Sequence, residues 1–226
     1  MPILGATALV IGARRHGKKT AGQAPAVEQG PRGWEKGRVH AAQVKRIRQV
    51  LLTRGVPGLR DLALFQAAID TMLHGPDLFN LTVKDVQLPN GKIRSVIKVL
   101  RRRGMPPVRC AFSKTTVAAL GKWIAVSTKR RADYLFPGRR TGSPHPMGVR
   151  QMNRLLKLWI AEAGLDPKKY GNESLRRTKA LHILKGTGDL EMVRMLLGHA
   201  KIESTARFLR VPTTSDPISV SRTFDI

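Results

Sequence analysis

The sequence contains a single cysteine, Cys110, and this scarcity excludes two kinds of site. One thiol can form neither a disulfide within the chain nor a thiolate-rich metal site. A chain without disulfides is typical of a reducing compartment, so we expect it in the cytoplasm. The apolar run at residues 1–13 follows no basic segment and is too short to cross a bilayer. Neither a signal peptide nor a transmembrane helix is therefore predicted, and no membrane partner is expected.

Acidic and aromatic residues are scarce as well. The chain has 15 Asp and Glu against 41 Lys and Arg, a formal net charge of +26, and only 5% of its residues are aromatic. An excess of this size attracts polyanions. Because no basic run is interleaved with aromatics, base stacking on single strands is disfavoured, and duplex DNA contacted through its phosphates is the better interpretation. A basic RNA-binding module is the alternative that charge alone leaves open.

The positive charge is concentrated in one stretch. Residues 86–132 contain no Asp or Glu at all. Solubility would be served equally well by mixed signs, and like charges repel one another unless an anion neutralises them. The cations that we expect to face a phosphate backbone here are Lys92, Arg94, Lys98, Arg101, Arg102, Arg103, Arg109, Lys114, Lys122, Lys129, Arg130 and Arg131.

Composition divides the chain into three segments. Residues 1–37 are rich in Gly, Lys, Arg, Gln and Pro without a lasting hydrophobic period. They are predicted to be a disordered basic arm, which either contacts DNA or only solubilises the chain. Residues 38–211 carry the hydrophobic periodicity of one folded domain, and residues 212–226 form a C-terminal tail.

The periodicity predicts a mainly α fold with one small antiparallel β-sheet, an α+β class. Helices are expected over 40–53, 59–73, 77–81, 115–125, 147–164, 174–186, 189–198 and 204–209. Ser174 and Asp189 are predicted to cap the two helices that they begin. Strands are expected at 86–88, 93–99 and 108–112, with an Asn-Gly turn at Asn90 joining the first two.

Three short motifs near the C-terminus carry a resemblance to a known family. They are the run Ser-Leu-Arg-Arg-Thr-Lys-Ala-Leu from Ser174, the run Val-Arg-Met-Leu-Leu-Gly-His ending at His199, and the run Ile-Glu-Ser-Thr-Ala-Arg-Phe-Leu at 202–209. Together with segments at 60–65, 68–78 and 133–138, they resemble the tyrosine recombinase or phage integrase family. The resemblance covers residues 38–209, and the fixed spacing between His199 and Phe208 is its most specific part.

The resemblance implies a chemistry. In this family a tyrosine hydroxyl attacks a DNA phosphodiester and holds it as a phosphotyrosyl link. Two arginines, a lysine and two histidine-type donors neutralise the charge that develops on the phosphoryl oxygens. No metal ion or other cofactor and no small-molecule substrate is implied. Because family members assemble on paired sites, self-association on DNA is also expected.

The family's catalytic positions are only partly kept in this sequence. Arg176 and His199 match the second arginine and the histidine of the Gly-His pair. His74 stands where the first arginine belongs, Glu173 where a histidine belongs and Phe208 where the nucleophilic tyrosine belongs. Arg102 is nearest in register to the catalytic lysine, with Lys98, Arg101 and Arg103 as alternatives. DNA contacts are predicted at Lys98, Arg101, Arg102, Arg103, Arg109 and Arg176.

These departures predict impaired cleavage. Phe208 has no hydroxyl, and a Glu173 carboxylate ~4 Å from a phosphate would be repelled by about 4 kcal/mol at an effective dielectric near 20. Glu173 could instead pair with Arg176, three residues on. Arg176 is interpreted as a phosphate ligand or, alternatively, as an exposed helix charge, and His199 as a donor or only a helix cap.

Three functions remain open from the sequence. The first is a DNA-binding protein of this family, by resemblance one of site-specific recombination or integration, that is impaired in strand cleavage. The second is an active recombinase with a displaced nucleophile, with Tyr170, Ser204 and Thr205 as candidates. The third is the basic RNA-binding module.

Overall fold

The computed structural model describes residues 37–101, 105–138 and 145–211. The predicted basic arm lies outside these ranges except for Gly37, as do Arg102, Arg103 and the predicted tail at 212–226. The division of the chain into three segments therefore stays a prediction.

The described part of the chain is mainly α-helical, as predicted. The elements in chain order are α1 (Ala41–Leu52), α2 (Gly55–Thr71), α3 (Gly75–Phe79), α4 (Val83–Val86), β1 (Val96–Val99), β2 (Val108–Ala111), α5 (Lys114–Val126), α6 (Val149–Glu162), a 3₁₀ turn (Pro167–Lys169), α7 (Asn172–Thr187), α8 (Leu190–Leu197) and α9 (Ile202–Leu209).

The sheet is smaller than the sequence suggested. β1 and β2 form an antiparallel pair with Lys98 opposite Arg109, but the strand predicted at 86–88 is wrong. Val86 ends the short helix α4, which is held by a capping box in which the Thr82 amide donates to the Asp85 carboxylate at 2.8 Å. Beyond α4, only an isolated bridge joins Gln87 to Ile93. The capping signal of Thr82 and Asp85 therefore outweighed the short alternation of apolar residues.

Helix α2 lies at the centre of the larger hydrophobic core. Its residues are buried on nearly every side, and the Phe65 ring meets the Trp159 ring of α6 edge to face, with centroids 6.0 Å apart. The Trp159 indole N–H donates to the buried carboxylate of Asp61 at 2.9 Å. Arg54 and Arg60 also bind Asp61, so this buried charge is fully paired.

A second, smaller core joins α7, α8 and α9 to the end of α2. Its buried members are Met72, Ala180, Val193, Leu197 and Leu209. Asp189 caps α8 as predicted, because its side chain accepts from the Met192 amide at 2.8 Å. The capping role predicted for Ser174 is wrong. Ser174 is the third residue of α7, and its hydroxyl accepts from the amide of Gly171, the actual cap residue.

Among the described residues, no helix combines the length and the apolar content that crossing a bilayer requires.

Candidate functional site

The site is assembled where four helix ends meet. Helix α2 ends at Met72, whose left-handed backbone (φ 51°) turns the chain so that His74 becomes the cap residue of α3. Helix α7 begins nearby and carries Glu173, Arg176 and Arg177. Helix α8 ends at Gly198, which places His199 just beyond it, and α9 carries Phe208. The fold thus brings together five of the residues that the motifs identified.

Arg176 lies at the centre of this site and is almost completely buried, with 3% of its surface exposed. Its Nε–H donates to the carbonyl of Met72, and its Nη2 donates to the carbonyl of Leu197 at 3.0 Å. The first carbonyl ends α2 and the second ends α8, so one guanidinium joins two helix C-termini. Helix C-termini carry partial negative charge, which favours a cation there. The interpretation of Arg176 as an exposed helix charge is therefore wrong.

The third edge of the Arg176 guanidinium faces His74 and Glu173. Its Nη1 lies 3.1 Å from Nε2 of His74 and 3.6 Å from the Glu173 carboxylate. The other ring nitrogen of His74, Nδ1, lies 3.8 Å from Glu173. The neighbouring His74 imidazole is the main reason that the pKa of Glu173 lies below its usual range, and Arg176 lowers it further. The carboxylate is therefore ionised near neutral pH.

His199 is half-buried beside this group. Its Nδ1 lies 3.0 Å from the Thr205 hydroxyl, and its ring meets the Phe208 ring edge to face with centroids 5.6 Å apart. Burial lowers the pKa of His199 to about 4, and the nearby Arg176, His74 and Arg101 act in the same direction against the weaker opposite effect of Glu173. The imidazole is therefore neutral at pH 7 and is available as a hydrogen-bonding group rather than as a cation.

This shift makes stability depend on pH. The folded pKa of His199, about 4, lies below the ordinary value of 6.5, so as pH falls the unfolded chain takes up the proton first. The stabilisation is complete above pH 6.5 and is lost as pH falls towards 4. We expect His199→Gln to weaken the pH dependence in this window, measured as urea midpoints at pH about 7.5 and about 5. An equally steep fall in the variant would contradict this assignment.

Phe208 occupies the position that the resemblance assigns to the nucleophile. Its half-buried ring lies 5.1 Å from the guanidinium carbon of Arg176 and 5.0 Å from that of Arg177. Its carbonyl also accepts from Nε of Arg177 at 2.8 Å. The Phe208 ring is thus held by His199 and, through cation–π attraction, by two arginines. It presents no hydroxyl to them.

Arg101 takes a different place from the one predicted. It was expected to face DNA, but it is buried, donating to the Gly198 carbonyl at 2.7 Å and lying 3.7 Å from the Asp77 carboxylate. It therefore supports the turn that holds His199. Lys98 and Arg109 are exposed neighbours on the outer face of the sheet. Arg102 and Arg103 lie outside the described residues.

Sequence reasoning missed two contributors to the site. Arg177 is half-buried against Phe208, and Asp77 lies beside the buried Arg101. Adjacent arginines give no signal of which one turns inward. Asp77 lies three residues after His74, in the first turn of α3, where acidic residues are favoured. This position could have marked it as a partner for a cation.

The three candidates for a displaced nucleophile are not equally placed. Thr205 touches His199 but is completely buried, with 0% of its surface exposed. Tyr170 packs against the larger core, and Ser204 is exposed on α9. Within the described ranges, no group of three or more His, Cys, Asp and Glu side chains could hold a metal ion.

Comparison with known proteins supports the resemblance. Residues 38–214 match the profile of the phage integrase family. The tyrosine recombinase XerD of Haemophilus ducreyi is 29% identical over 162 residues, covering 69% of this chain and 52% of that protein. The tyrosine recombinase XerC of Vibrio parahaemolyticus is 30% identical over 150 residues, covering 65% of this chain and 46% of that protein. The chain spans about half the length of these curated relatives.

Solved structures agree on the fold. The XerA recombinase superposes with a TM-score of 0.64 at 20% identity, over 84% of this chain and 65% of that one. The XerH site-specific recombinase, solved bound to its difH substrate, superposes with a TM-score of 0.63 at 17% identity, over 83% of this chain and 54% of that one. These likenesses confirm the predicted catalytic-domain fold. With motifs, fold and family profile in agreement over the same residues, the chain belongs to the phage integrase family of tyrosine recombinases.

Proposed function

We propose that this chain binds duplex DNA in a process of site-specific recombination or integration, and that it does not cleave DNA through residue 208. The observation that carries the second part is the Phe208 ring, which lies beside Arg176 and His199 and brings no nucleophilic oxygen to them. A phosphotyrosyl link needs a phenolic hydroxyl, and a phenyl ring cannot supply one.

Duplex binding is supported by charge and by the similar structures. The chain carries a net charge of +26, and both Lys98 and Arg109 project from the same face of the two-stranded sheet. A structural neighbour, the Tn1549 transposon integrase, was solved in complex with transposon right end DNA. We propose Lys98 and Arg109 as phosphate contacts, since they are exposed side by side in a stretch of the chain that contains no acidic residue. Self-association on the DNA stays a prediction.

The displaced-nucleophile alternative has less support. Thr205 is close to His199 but completely buried, and Tyr170 packs against the larger core. An attack by Thr205 on a DNA phosphate would require the domain to open. The hydroxyl of Ser204 is accessible, but no contact with His199 or Arg176 activates it among the described residues.

Salt dependence tests the proposed DNA contact. We expect affinity for a labelled duplex to fall steeply with salt, by a logarithmic slope of about −0.9 for each phosphate neutralised. The double variant Lys98→Gln, Arg109→Gln should reduce that slope by about two. A matched control, Lys168→Gln with Lys169→Gln in the exposed 3₁₀ turn, removes the same charge elsewhere and should leave the slope nearly unchanged.

Two outcomes would overturn the proposal. Failure of the chain to retain any duplex at low salt removes DNA binding altogether. Preferential binding of a structured RNA, in competition with the duplex at equal concentration, would favour the RNA-binding module instead.

A further inference from the structure

We infer that the Glu173 carboxylate is a built-in anion that occupies the place of a DNA phosphate beside Arg176, so that the chain binds duplex without engaging a phosphate there. This inference rests on the proposed function for its DNA context. It identifies Glu173 as the residue that excludes a phosphate, which is a role distinct from the missing hydroxyl of Phe208.

The contacts of Glu173 are those that an oxyanion would make. One carboxylate oxygen lies 3.6 Å from Nη1 of Arg176 and the other lies 3.8 Å from Nδ1 of His74. A carboxylate and a phosphate both present paired oxygens to a guanidinium edge. The two remaining edges of the Arg176 guanidinium are occupied by the carbonyls of Met72 and Leu197, so the edge that faces Glu173 is the one left for an anion.

His74 completes a closed ring of three side chains. Nη1 of Arg176 lies 3.1 Å from Nε2 and 3.5 Å from Nδ1 of His74, and Nδ1 lies 3.8 Å from the Glu173 carboxylate. An arginine can only donate, so the imidazole serves Arg176 as an acceptor. The three side chains therefore contact one another in one cluster.

The buried arginines of this site are each paired with a carboxylate. Glu173 lies beside Arg176, and Asp77 lies 3.7 Å from Arg101. A phosphate entering the pocket would have to displace the Glu173 carboxylate, since two anions on one guanidinium edge repel each other. Glu173 lies at the surface, with 51% of its side chain exposed, whereas Arg176 is 3% exposed. The carboxylate therefore covers the buried cation.

Inorganic phosphate is the probe that tests this inference independently of DNA. We expect Glu173→Gln to bind phosphate at least about tenfold more tightly than the unaltered chain, measured by isothermal titration and by the phosphate-dependent rise in melting temperature. The chain offers a matched control in Glu191, which pairs with Arg194 at the same i,i+3 spacing on the exposed face of α8. Glu191→Gln should leave phosphate binding unchanged.

The phosphate measurements decide the matter. Equal phosphate affinity in the unaltered chain and in Glu173→Gln would overturn the inference, and so would an equal gain in Glu191→Gln. If Glu173→Gln is poorly folded by circular dichroism, Glu173→Ala is measured in its place with the same expectation. Loss of duplex binding in every form would remove the proposed function but would leave the phosphate result to decide the role of Glu173.

A second measurement uses duplex DNA with one neutral methylphosphonate placed at successive positions. In the unaltered chain, we expect losses of affinity only at phosphates contacted by exposed cations such as Lys98 and Arg109. In Glu173→Gln, one further position should lose affinity by about tenfold, because the guanidinium edge that Glu173 covers can then hold a phosphate. An identical set of sensitive positions in both forms would contradict the inference.

Discussion

The triple variant Phe208→Tyr, His74→Arg, Glu173→His is expected to form a covalent adduct with a nicked suicide duplex, whereas the unaltered chain forms none. The scaffold already places residue 208 next to Arg176 and His199, so the change supplies the missing hydroxyl and the missing donors without moving the backbone. Loss of a nucleophile alone costs about 10⁶ in rate in a well-studied hydrolase. We therefore expect an increase of at least about a thousandfold in adduct, measured by denaturing electrophoresis of labelled DNA.

The partial variants distinguish the causes. Phe208→Tyr with His74→Arg retains the Glu173 carboxylate, so we expect it to give much less adduct than the triple variant. A fourth change, Arg102→Lys, separates a missing lysine from a defective scaffold. If neither the triple variant nor the variant with all four changes yields adduct, the scaffold no longer positions the catalytic side chains for cleavage. Adduct in the unaltered chain that survives Tyr170→Phe and Ser204→Ala would point to Thr205.

Replacing Arg176 by alanine is expected to destabilise the domain by about 3–5 kcal/mol. The change leaves two buried carbonyls, those of Met72 and Leu197, without their donor, and each unsatisfied buried group costs about 1–3 kcal/mol. Total stabilities of about 5–15 kcal/mol make this a large fraction. At about 2–4 °C per kcal/mol for a domain of this size, the melting temperature should fall by roughly 10 °C.

The control for this loss is Arg207→Ala on the exposed face of α9. Surface substitutions of this kind usually change stability by less than about 0.5 kcal/mol. Arg176→Lys keeps the charge but cannot bind both carbonyls with a planar fork, so it should lie between the two. A melting temperature for Arg176→Ala equal to that of Arg207→Ala would contradict this structural role of Arg176.

Several features of the site followed from local sequence. The Gly-His pair predicts that a helix ends at Gly198, because glycine readily adopts the left-handed backbone (φ 65°) observed there. Asp189 marks the start of the same helix by its capping chemistry. The fixed interval from His199 to Phe208 places both near one pocket, since a short loop and two turns of helix can bring such residues close together.

Other features depended on contacts between residues distant in sequence. The sequence could not distinguish Arg101, which is buried against Gly198, from exposed Lys98, because both occur in one run of cations. It offered two interpretations of Arg176, and only the burial of its side chain against the distant carbonyls of Met72 and Leu197 excludes the exposed helix charge. The strand predicted at 86–88 is wrong for a local reason. The capping box of Thr82 and Asp85 favours a helix there more strongly than the short alternation of apolar residues favours a strand.

The sequence by itself determined the family, the helical class and the absence of a hydroxyl at residue 208, because motifs, periodicity and residue identity are properties of the chain alone. Only the tertiary structure decided where the charges go. Burial removes Arg176 and Arg101 from water, and a buried cation must find its acceptors within the protein. Which carbonyls and carboxylates supply them depends on the packing of α2, α3, α7 and α8, and that packing puts Glu173 and His74 against Arg176.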